Sequence, residues 1–211
     1  MKKFFDLDNP VWVFLGRVGD LMILNVIFII TCLPVITVGA ALSALYSMTL
    51  KMVCDEESYL VRSYLKAFRQ NFRQATVVWI FTAFTGYVLY LYYSIVSSLE
   101  SGYGTYLKIP VIAAAFLFLM YFEYVYPLIG RFQNTLKNIL GLALMLAVRH
   151  MPTTVIVLLI TVAPVVLTFR STTIFSWAVL LWILFGFSVI AFLNSWFLRR
   201  VFDLYTPEDE R

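Results

Sequence analysis

Residues 174–197 read IFSWAVLLWILFGFSVIAFLNSWF. No Asp, Glu, Lys or Arg interrupts them. A helix of that length rises about 36 Å at ~1.5 Å per residue, enough to cross a hydrocarbon core of ~30 Å. The apolar residues are continuous, not alternating, so a barrel strand is the wrong reading and helix is the only structure that satisfies its own backbone in lipid. Four more stretches read the same way, at 21–46, 76–96, 107–129 and 153–169. The expectation is an all-α integral membrane protein, residues 1–211 forming one transmembrane domain of about five helices.

The bulk composition agrees. Of the 211 residues, 62% are hydrophobic and 13% charged. Soluble domains run nearer ~45–50% and ~25%. A water-soluble globule of this length leaves too much surface exposed to hide so much apolar side chain. Soluble, disordered and disulfide-scaffold classes are therefore excluded. The formal net charge of +4 reads as loops facing anionic lipid, not as a nucleic-acid surface. Cys32 and Cys54 point to no redox compartment, and no disulfide between them is expected. Asp6 and Asp8 interrupt the basic start, and the run before Gly39-Ala40-Ala41 is too long for a signal-peptide core, so no cleavage is expected.

Lys and Arg set the expected sidedness. The connection after the first apolar run holds Lys51, Arg62, Lys66, Arg69 and Arg73. The next holds Lys108, the one after it Arg131, Lys137 and Arg149, and the next Arg170; Arg199 and Arg200 follow the last run. Rich and poor connections alternate, which places the amino terminus outside and the carboxyl terminus in the cytoplasm. Lys2, Lys3 and Arg17 resist that assignment. The alternative is a first run broken at Pro34 into a re-entrant hairpin, with the amino terminus inside.

Two connections read as helices lying on the cytoplasmic surface. In 59–73, Val61, Tyr64, Leu65, Phe68 and Phe72 recur at helical spacing, and Arg62, Lys66, Arg69 and Arg73 fill another stripe. That pattern sets apolar side chains against the acyl boundary and cations toward anionic headgroups. The second, 136–150, is more apolar and ends before Pro152. A weak parallel internal repeat at an offset of about 80 aligns Tyr46 with Tyr126, Lys51 with Arg131, Ala67 with Ala147 and Arg69 with Arg149.

Candidate functional positions are the polar and broken places inside the spans, because these cost free energy unless something compensates. Glu123 is foremost: it can bind a cation or relay a proton, or else pair with a basic residue or tyrosine hydroxyls. Pro34 and Thr37 mark a break that either lines a solute site or is a kink repaired by its neighbours. Asn25 and Asn194 read as interhelical hydrogen-bond partners. Arg62, Lys66, Arg69 and Arg73 face lipid or a partner. Trp79, Trp177 and Trp196 read as an interfacial belt. No catalytic triad, metal-binding spacing or phosphate loop is present in the sequence, so the expectation is no enzyme, no metal and no cofactor.

Three segments carry a resemblance. LPVITVGAA at 33–41, FRQNFRQA at 68–75 and YPLIGRF at 126–132 resemble the YesL-like family of bacterial membrane proteins of unknown function, over nearly the whole chain. The resemblance implies a multi-pass protein of a bacterial plasma membrane, associated with carbohydrate breakdown and ABC-type sugar import. It carries no functional residues across. The expected function is a non-enzymatic accessory component beside carbohydrate uptake, with anionic lipid, importer components or further copies of itself as partners. The alternative is a small permease or channel for a sugar-related solute or an ion.

Overall fold

The computed structural model describes residues 10–56, 59–98, 102–132 and 134–205. They form α1 (Pro10–Cys32), a 3-10 turn (Val35–Thr37), α2 (Val38–Val53), α3 (Leu60–Ser97), α4 (Gly102–Arg131), α5 (Leu136–Arg149), α6 (Met151–Thr168), α7 (Thr172–Leu181), a π-helical segment (Trp182–Gly186) and α8 (Phe187–Asp203). No strand occurs among the described residues. The all-helical membrane architecture stands. Among the described residues six helical segments, rather than about five, are long and apolar enough to cross a membrane.

The difference lies in the first apolar run. Proline at 34 offers no backbone donor and adopts an extended conformation (φ −77°, ψ 115°). The chain then reverses. Arg17 of α1 pairs with Asp55 just past α2. From Arg17 to Cys32 and from Val38 to Val53 the rise is about 22 Å each, so the two arms match and α1 and α2 form a closed helical hairpin. An expected single span over 21–46 is thus corrected to two antiparallel helices. Thr37 satisfies the turn by donating to the Thr31 carbonyl at 2.6 Å and the Pro34 carbonyl at 2.6 Å. Lys2 and Lys3 lie outside the described residues.

α2 sits at the centre. Eleven of its sixteen residues are buried, and it packs most extensively on α3, then on α4 and α8. Its small residues permit this. A methyl group on Gly39 would come within 2.4 Å of the Ala75 carbonyl oxygen and 2.6 Å of Trp79 Cβ. One on Gly130 of α4 would come within 2.5 Å of the Ser43 carbonyl oxygen. Backbones here touch with nothing between them, the contact that drives helix association in lipid.

Gly39, just past the hairpin turn, meets α3 at Ala75 and Trp79. Beyond Trp79, α3 runs unbroken to Ser97, a further rise of about 27 Å. The hairpin therefore enters beside the basic end of α3 and its tip stops well short of the far end.

The expected surface helix 59–73 and span 76–96 are one continuous helix of 38 residues. Neither Gly nor Pro falls between Leu60 and Thr85, so nothing ends the first part before the second begins. The second surface helix is separate as α5, because Pro152 opens α6. The 80-residue repeat is uneven for the same reason: α3 is one helix where α5 and α6 are two.

Gly39→Ala and Gly130→Ala are each expected to lower stability by about 1–3 kcal/mol through overpacking. Gly141→Ala meets nothing within 4 Å in α5 and is expected to raise it by up to ~1 kcal/mol. Thermal unfolding of the three variants in detergent checks the contrast.

Candidate functional site

Asn25 and the π-helical segment explain one another. Asn25 is fully buried on α1. Its Nδ2 donates to the Trp182 carbonyl at 2.9 Å and the Ile183 carbonyl at 2.7 Å. Its Oδ1 accepts from the Ser188 backbone N–H at 3.0 Å. A side chain from another helix has entered the hydrogen-bond ladder, which is a recognised way for a helix to widen into a π turn. The bond partners lie 157 to 163 positions away in sequence.

Trp182, at the start of this segment, borders a cavity of about 140 Å³. Glu123 on α4, Tyr46 on α2 and Thr161 on α6 bring polar groups to its wall, among apolar neighbours such as Leu45 and Phe187. Glu123 is 5% exposed. The basic partner that the sequence offered it at the edge of α4 is engaged elsewhere: Arg131 bonds Asp203 at 2.7 Å. Among the described residues Glu123 forms no ion pair. Thr161 stands as a polar neighbour of its carboxyl.

Asn194 on α8 ties the cluster together. Its Nδ2 donates to Thr161 Oγ1 at 2.9 Å and to the Tyr46 hydroxyl at 3.3 Å. Its buried Oδ1 has no partner among the described residues. Tyr46 and Thr161 are members of the site that reading the sequence did not single out. Tyr46 was marked only by its repeat partner Tyr126, and both border this cavity.

The other expected positions lie elsewhere. Pro34 and Thr37 form the hairpin turn, away from the cavity. Next to them Thr31 Oγ1 and the Tyr64 hydroxyl are 2.7 Å apart, and Tyr64 donates to the Ala41 carbonyl at 3.4 Å. The break is thus a repaired turn. Tyr64 belongs to the protein core, fully buried, and not to the acyl-facing stripe expected of 59–73. The turn is capped outward by exposed Leu33, Val35 and Ile36.

Arg62, Lys66, Arg69 and Arg73 are exposed along one side of α3. Leu65 and Phe68 border the same groove as the first three of them, and Phe68 stacks edge-on with Phe72 at 5.6 Å. This is a cationic ridge beside apolar side chains. No group of three or more His, Cys, Asp or Glu able to hold a metal occurs among the described residues. Cys32 and Cys54 are free thiols.

Replacing Asn25 with Ala leaves the Ser188 N–H without its acceptor in a buried setting. We expect a loss of about 1–3 kcal/mol, larger than the ~0.6 kcal/mol typical of one hydrogen bond between membrane helices, measured as the midpoint of denaturant unfolding in mixed micelles.

A family model described as a protein of unknown function, DUF624, matches residues 21–93. That region holds the second half of α1, all of α2 and most of α3. It includes Asn25, Pro34, Thr37 and the four basic residues of α3, and excludes Glu123, Thr161 and Asn194. No curated protein and no solved structure matches the chain.

Proposed function

We propose that this similarity to an uncharacterised family belongs to a non-enzymatic membrane protein that acts by contact, as an accessory component beside carbohydrate uptake systems. The observation that carries the contact reading is the exposed ridge Arg62, Lys66, Arg69 and Arg73 on a helix continuous with a span. A rigid helix transmits position between the membrane and whatever the ridge touches. The carbohydrate setting rests on the resemblance of the three quoted segments alone.

The cavity at Glu123 weighs against a sugar permease. Its volume of about 140 Å³ falls below the ~300–1,000 Å³ of ordinary small-molecule sites, and most of its wall is apolar.

The hairpin supports a particular sidedness. Whether α1 and α2 cross or only enter, the pair returns the chain to the face it started from. The start of α1 and the basic α2–α3 connection therefore share a face, and the positive-inside rule makes that face cytoplasmic. This reading takes up the alternative of a hairpin at Pro34 with the amino terminus inside, and it removes the conflict with Arg17. The membrane is a bacterial plasma membrane in this reading.

The test is a tagged full-length chain solubilised gently from native membranes, with co-purifying proteins quantified. Importer components enriched over a tag-only control support the proposal. With all four basic residues changed to Gln, that enrichment should fall at least about fivefold, equivalent to ~1 kcal/mol of binding. Recovery of none with the wild-type chain contradicts it.

A further inference from the structure

The cluster at Glu123 has a chemistry that the accessory reading neither uses nor requires. A carboxylate buried among spans is costly unless something offsets its charge. No described basic side chain does so. On a cavity wall that is otherwise mostly apolar, Thr161 and Tyr46 are the hydroxyl-bearing residues that Asn194 joins beside it. Each hydroxyl oxygen has two lone pairs. Accepting from Asn194 Nδ2, as both do, leaves each with one still to give. The fully buried Asn194 also keeps an Oδ1 without a partner among the described residues.

Hard oxygen donors suit hard cations. One carboxylate balances one positive charge, whereas divalent sites of this kind draw on several acidic groups, and no such group occurs among the described residues. The cavity also has room. A water needs only ~10–15 Å³ of such space, against about 140 Å³ here, so an ion can keep part of its hydration shell.

We propose that this cavity binds a single alkali-metal cation, with the Glu123 carboxylate and the Thr161 and Tyr46 hydroxyls as protein ligands, and waters completing its shell. Asn194 is a positioning residue: it holds the two hydroxyl oxygens, one from α2 and one from α6, at a common point. The bound ion would thereby clamp α2, α4, α6 and α8 together.

The experiment uses the full chain in detergent, with sodium chloride, potassium chloride or N-methyl-D-glucamine chloride at equal ionic strength. Thermal unfolding is followed by tryptophan fluorescence, with binding of radioactive sodium and rubidium measured directly on the same samples. Sodium or potassium is expected to raise the wild-type midpoint saturably, by about 3–6 °C at tenfold the half-saturating concentration. Glu123→Gln and Thr161→Val should each lose that dependence and the bound radioactivity. The Thr161→Val variant keeps the test open should Glu123→Gln fail to fold. Equal midpoints in all three salts, an unchanged response in the variants, or a midpoint that follows pH but not cation identity would overturn the proposal; the last would make Glu123 a protonated structural acid.

Discussion

Backbone contact between α2 and its neighbours is the constraint on which the rest depends. Lipid tails are as apolar as leucine, so helices in a bilayer gain little from hiding hydrophobic surface. They gain by approaching closely. Gly39 against Ala75 and Gly130 against Ser43 leave no space even for a methyl group, and the alanines and serines of α2 continue the surface between them. With α2 held there, the helices it touches are positioned too. α8 follows through the hydroxyl pair Thr49–Ser195, 2.7 Å apart, and α6 through Asn194 and Thr161.

The hairpin and the polar cluster are consequences of that placement. α2 reaches the centre only because the chain turns back at Pro34, and the turn survives in an apolar setting because the Thr37 hydroxyl satisfies the Thr31 and Pro34 carbonyls. Once α2 is central, Tyr46 points its hydroxyl to the meeting place of α4, α6 and α8. Glu123, Thr161 and Asn194 meet there from three other helices. Asn25 does comparable work from α1 by seating itself in the ladder ahead of α8. Asn25, Glu123 and Asn194, buried polar side chains among the described residues, lie where helices converge.

Much of the helical content was legible in the apolar runs, because a bilayer imposes length and continuity on anything that crosses it. The fold-back was legible only as a break. Proline reports a missing donor and a disturbed turn, but the direction the chain takes next follows from the packing of α2 on α3, α4 and α8, helices that lie further along the chain. The fusion of the basic helix with the next span was visible in principle, since no helix breaker lies between Leu60 and Thr85; the change in composition near Thr76 obscured it. Glu123 stood out as an ionisable residue in an oily run. Its companions did not: a threonine and a tyrosine are unremarkable in a membrane helix, and only packing brings Thr161 and Tyr46 beside it. The π-helical segment left no signal near Trp182, because its cause lies on α1.

Sidedness and the central place of α2 both depend on the return of the chain at Pro34. An epitope inserted at Glu56, between α2 and α3, and a second epitope at the amino end can be read by antibody in intact and permeabilised cells. Both epitopes are expected to be hidden in intact cells and to appear together on permeabilisation. Epitopes on opposite faces, one readable in intact cells and the other not, would contradict the hairpin.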